Sequence, residues 1–140
     1  MDFPQTGETK MDTQELYRRG LGIRKEIFGT EAVEKRMNAV GDYGAPLQHM
    51  VNAYAYGDIW ARPGLERKIR SLVVLGMTAA INRAAEFKVH MNGAVNNGCT
   101  PEEIREVCLM VALYCGIPAS NDAHRIALET FAEKGIAAKG

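Results

Sequence analysis

A chain of 140 residues has room for one proper core and is short for two. Its 17 basic side chains cancel its 17 acidic ones, so bulk charge invites neither nucleic acid nor an anionic membrane, and any bound anion must be met by individually placed Arg or Lys. The opening MDFPQTGETK has no signal-peptide pattern, and the longest mostly apolar run, SLVVLGMTAAI, is about half of a bilayer span.

In chain order the punctuation is helical. In MDTQELYRRGLGIRKEIFG, Asp12 with Glu15 three residues on predicts a capping box. Leu16, Ile23 and Ile27 form a helical stripe, and Gly29 stops it. TEAVEKRMNAV starts a second helix at Thr30. APLQHMVNAYAYG reads as a third, with Pro46 in its first turn and Gly57 as its end. Pro63 suits the start of the next, whose wide apolar face carries Leu65, Ile69, Leu72, Val73 and Leu75. Asn82 is a break or N-cap before RAAEFKVHMNGAVNN, which closes at Gly98. CTPEEIREVCLMVALYCG is the plainest helix: Thr100 caps it, Pro101 takes the first position, Glu103 completes the box and Gly116 ends it. IPASNDAHRIALETFAEKG is the last, ending near Gly135.

No window alternates like a strand between hairpin turns, so the expected class is all-α, a single domain over residues 1–140 with about six or seven helices. The tails, about 1–11 and 136–140, are expected to be loose. In SLVVLGMTAAI and VCLMVALYCGI the apolar residues wrap most of the helix, more than a bundle this small can surround. A homo-oligomer through small-residue faces such as Gly76, Ala79 and Ala80 is the expected remedy.

Cys99, Cys108 and Cys115 are odd in number and contain no CxxC, which argues against a disulfide framework or a zinc knuckle and points to a reducing cytoplasm. Cys99 precedes a helix N-cap, where a thiolate could be stabilised, while Cys108 and Cys115 read as inert core residues.

Glu86 and His90 stand one helical turn apart, on one face. A carboxylate accepting from one ring nitrogen fixes the tautomer and raises the basicity of the other, which is sound acid–base design. Pairs of this spacing also occur on ordinary solvated faces, and spacing alone favours that plainer reading. Metal binding would need a third ligand; His49 and His124 lie on other helices, with no two-ligand motif. Arg62 and Arg70 flank PGLERKI, and Arg70, beside a strongly apolar face, either binds a carboxylate or pairs with Glu66. Trp60, with Tyr54 and Tyr56, lines a pocket or fills a core.

The segments GDIWARPGL, RSLV, EFKVHMNGAVNNG, TPEEIRE and YCGIP, in this order, resemble the carboxymuconolactone decarboxylases, and YRRGLGIRKEIFG is similar to that family's N-terminal helix. The resemblance spans about residues 17–130. It implies an alkylhydroperoxidase D-like helical bundle built into ring-like oligomers, with a hexamer favoured. It also implies cofactor-free conversion of 4-carboxymuconolactone to the enol-lactone of 3-oxoadipate and CO2, in the β-ketoadipate pathway of aromatic catabolism.

By motif match His90 would be the proton donor and Glu86 its orienter. The chemistry further asks for a carboxylate or oxyanion clamp, for which Arg70 and then Arg62 are candidates, and for pocket wall, which Trp60 could supply. Two positions depart from the family pattern: Met110 stands where the decarboxylases often have Gln, and His124–Arg125 where they tend to have an aromatic followed by His. His124 is thus a second candidate for the proton and a candidate substrate contact, and a paralogue with a related small carboxylated substrate fits as well. The related peroxidases use CxxC followed by His, whereas RAAEFKVH holds no Cys. A thiol-dependent antioxidant protein and a non-catalytic oligomeric binding protein are the other readings of the same scaffold.

Overall fold

The computed structural model describes residues 11–138, and most of the two expected loose tails lies outside them. Among the described residues there are six α-helices and one π-helical segment and no strand. None of these helices is long and apolar enough to cross a membrane. The chain divides between Arg62 and Pro63 into two compact units.

The first unit holds α1 (Thr13–Phe28), α2 (Thr30–Met50) and a π-helix (Val51–Ile59). The predicted capping box is formed: the Glu15 amide donates to Asp12 at 2.8 Å and the Asp12 amide to Glu15 at 3.2 Å. Helix α2 breaks at Gly41, whose φ of 53° and ψ of −151° are open to glycine and closed to most side chains. The second helical piece starts directly after Gly41, so Pro46 lies inside it rather than in the first turn where the sequence places it. That piece does not end at Gly57, as the sequence suggests. It runs on as the π-helix, whose exit is marked by the Trp60 amide donating to Ala55, five residues back, at 2.9 Å.

Gly57 serves instead as a point of close approach. A Cβ on it would overlap the Leu16 carbonyl oxygen, and one on Gly20 would overlap the Asn52 carbonyl oxygen. Helix α1 and the π-helix thus meet backbone to backbone, and the Arg19 guanidinium closes the seam by donating from Nε to the Gly57 carbonyl at 2.8 Å.

The buried line of α1 is Gly20, Arg24 and Ile27, with Leu16 and Ile23 half-buried at its flanks. Arg24 is only 3% exposed. Its NH1 donates to Gln48 Oε1 at 2.8 Å and Asn52 Oδ1 at 3.0 Å, and its guanidinium lies 5.9 Å from the centre of the Tyr56 ring. Burial lowers the Arg24 pKa and pushes the Tyr56 hydroxyl up to about 12. Arg24→Met is expected to strand two buried carbonyl acceptors, at about 1–3 kcal/mol each. Urea unfolding followed by the fluorescence of Trp60, the chain's single tryptophan and buried in this unit, measures the loss.

The second unit holds α3 (Arg67–Ala80), α4 (Ala84–Asn96), α5 (Pro101–Cys115) and α6 (Ile117–Glu133). Pro63 lies in the turn before α3, not in its first turn, because the extended Glu66 is the N-cap. Asn82 turns the chain at φ 60°, and Arg83 is the N-cap of α4. The Thr100/Glu103 capping box, Pro101 and the stop at Gly116 are as predicted. The core of this unit gathers Leu75, Phe87, Met91, Ile104, Cys108 and Phe131, with Ile136 of the expected loose tail packed against it.

Two of the small residues of α3 pack within the chain. Ala79 is buried in the core, and a Cβ on Gly76 would meet Val107 of α5 in ordinary contact. What α3 leaves exposed is the row Ile69, Val73, Met77 and Ile81 at i,i+4 spacing, and α5 and its end expose Leu109, Leu113, Tyr114 and Ile117. The exposed apolar surface of these helices is formed by large side chains, while Ala79 is buried and Gly76 and Ala80 are half-buried.

Candidate active site

Glu86 and His90 both lie on α4, whose inward face is Phe87, Met91 and Ala94. That anchoring line leaves Glu86 exposed and His90 half-buried, one turn apart beside it. Glu86 also falls in the first turn of α4, where the positive end of the helix favours a carboxylate.

The loop after α4 is tied to the start of α3. Asn97 Nδ2 donates to Ser71 Oγ at 2.9 Å, with Ser71 1% exposed, and the Cys99 thiol donates to the Lys68 carbonyl at 3.4 Å. Lys68 Nζ reaches Glu103 at 2.9 Å. The Thr100 amide first, then Lys68, hold the Glu103 carboxyl below its ordinary pKa. These ties fix the first turn of α3, which carries the half-buried Arg70, and Arg70 Nε donates to the Leu65 carbonyl at 3.2 Å.

His124 sits elsewhere in this unit. It lines a cleft of about 90 Å³ between α5 and α6, together with Ile104, Cys108, Leu128 and Phe131. A smaller hollow is lined by Asn82, Arg83, Phe87 and Asp122. Neither is lined by Glu86, His90 or Arg70. Arg62 and Trp60 belong to the first unit. Arg62 is exposed and ion-paired to Asp58 at 3.1 Å, and Trp60 is buried with its ring stacked on Tyr56 at 5.7 Å.

Cys108 is a core residue as the sequence suggests, whereas Cys99 and Cys115 differ from their sequence reading. Cys99 is buried, and burial, followed by the Glu103 charge, pushes its thiol up to about 11, the reverse of an activated thiolate. Burial likewise takes Cys108 to about 11, and Cys115 is exposed where the sequence places it in the core. Among the described residues no three His, Cys, Asp or Glu side chains are gathered as a metal site requires. The sequence reading does not single out Ser120, whose hydroxyl and carbonyl hold His124; the i,i+4 spacing of the two was the available signal.

The protein is therefore an all-α chain that carries Glu86 and His90 one turn apart on one helix and Arg70 on the helix before it. Its residues 45–129 match the carboxymuconolactone decarboxylase family, and the chain belongs to that family. It is 37% identical over 127 residues to a 4-carboxymuconolactone decarboxylase of Acinetobacter baylyi, covering 91% of this chain and 95% of that one. It is 39% identical over 120 residues to a nitrosuccinic acid decarboxylase of Metarhizium robertsii, covering 83% and 84%.

Proposed function

We propose that the chain is a cofactor-independent carboxy-lyase that converts 4-carboxymuconolactone to the enol-lactone of 3-oxoadipate and CO2. The observation that carries this reading is the Glu86/His90 pair on α4, inside the family-matched region and without a neighbouring thiol. Breaking the bond to the leaving carboxylate sends its electron pair through the ring double bond to the lactone carbonyl oxygen, giving a dienolate. A donor at that oxygen and a proton for the ring carbon are what the protein must supply. His90 delivers the proton, Glu86 orients the imidazole, and Arg70 clamps a carboxylate or the oxyanion.

The exposed rows of α3 and α5 support a homo-oligomer, a hexamer on the family precedent, acting in the cytoplasm on the protocatechuate branch of aromatic catabolism. Nitrosuccinic acid, named for the second relative, shares the essential chemistry. Its nitro group accepts the electron pair as the lactone carbonyl does. The test offers purified protein each acid and follows CO2. Release from 4-carboxymuconolactone is expected. Release from nitrosuccinate alone would reassign the substrate and keep the reaction type. Peroxide consumption that alkylation abolishes, with no CO2 from either acid, would make the chain a thiol peroxidase.

A further inference from the structure

The cleft between α5 and α6 is walled by Ile104, Cys108, Leu128 and Phe131, and one polar side chain of fixed orientation stands in that wall. His124 Nδ1 lies 2.8 Å from the Ser120 carbonyl oxygen and 3.2 Å from Ser120 Oγ. A carbonyl can only accept, so Nδ1 carries the proton and donates. The Ser120 hydroxyl cannot compete for the donor role, because its own proton goes to the Cys108 carbonyl at 2.7 Å. The Nδ1 edge of the ring is thus turned to its own helix. The neutral imidazole offers the opposite edge, where Nε2 carries a lone pair and accepts.

The rest of the cleft narrows the ligand. Glu102 and Arg105 stand in its lining with opposite charges, so the cleft carries no net preference for an anion. Burial keeps the Cys108 thiol protonated, and it behaves as apolar wall. About 90 Å³ is well below the roughly 300–1,000 Å³ of pockets for drug-sized ligands, so the occupant is of fragment size. Phe131 offers ring contact to a flat body.

We propose that this cleft is a second small-molecule site, distinct from the Glu86/His90 pair, for a small flat apolar molecule with one uncharged hydrogen-bond donor, phenol being the simplest. The donor meets His124 Nε2, and the body lies among Ile104, Leu128 and Phe131. The site stands independently of the decarboxylase reading.

Phenol and toluene titrated into the 140-residue chain test it, with the His124 and Phe131 ring signals followed by NMR. Phenol is expected to shift both signals saturably, with a Kd on the order of 1 mM. Toluene, lacking the donor, should bind about fivefold to tenfold more weakly. In His124→Phe phenol should fall to the affinity of toluene, while toluene is unchanged. The comparison of the two ligands on the unaltered chain needs no variant to fold. Equal binding of the two ligands, shifts centred on His90, or no saturable shift, as when a second copy covers the cleft, would each overturn the proposal.

Discussion

Gly57→Ala is expected to disrupt the first unit, at a cost of about 4 kcal/mol or more, in the range reserved for backbone and core violations. The added methyl would overlap the Leu16 carbonyl oxygen and stand 3.1 Å from the Asn52 carbonyl oxygen. Both obstacles are backbone, so no rotamer change can yield. Relief requires α1 to move off the π-helix, which also breaks the Arg19 bond to the Gly57 carbonyl. Trp60 fluorescence should shift to the red already in the absence of denaturant, because its burial depends on this unit. Gly22→Ala is the matched control. That glycine is exposed on α1 with nothing near its Cβ, and alanine there should stabilise by about 0.5–1 kcal/mol through helix propensity. Wild-type unfolding of Gly57→Ala would show that the backbone contact does not organise the unit.

The same glycine shows where sequence reading stops. In a sequence, glycine after an apolar helical run means a stop, and Gly29 and Gly116 are stops, with φ of 92° and 103°. Gly57 is spelled the same way but answers to α1, some 40 residues earlier, and no local pattern encodes that approach. The capping boxes at Asp12 and Thr100 were legible because donor and acceptor are three residues apart. Arg24 was not, since a cationic residue in a helical stripe reads as surface until Gln48 and Asn52 are seen to receive it. Within the site, spacing alone placed Glu86 and His90 on one face. The ties at the start of α3, from Asn97 to Ser71 and from Cys99 to Lys68, cross about 30 residues and become visible only in the fold. For Cys99 the position before a helix N-cap left a stabilised thiolate open, though spacing fixes no base nearby, and burial opposes it.

His90→Ala is expected to lower kcat for 4-carboxymuconolactone by about 10²–10⁴-fold, the usual contribution of a positioned acid or base. The helix should survive the change. His90 is only half-buried, and the residues that dock α4 are Phe87, Met91 and Ala94. On the proposed division of roles KM should change little, since the imidazole would act on the reacting carbon while Arg70 would hold the carboxylate. Glu86→Gln separates orientation from proton delivery. The amide oxygen in that variant can still accept a hydrogen bond but lacks the carboxylate charge, so kcat should fall less, about tenfold, again at constant KM. Arg70→Met should show the opposite division, a raised KM from the lost clamp, together with any loss in kcat that reports oxyanion contact. A His90→Ala protein with wild-type kcat would return the pair to an ordinary helix-surface contact. The family membership would stand, and the proton would have to come from another group.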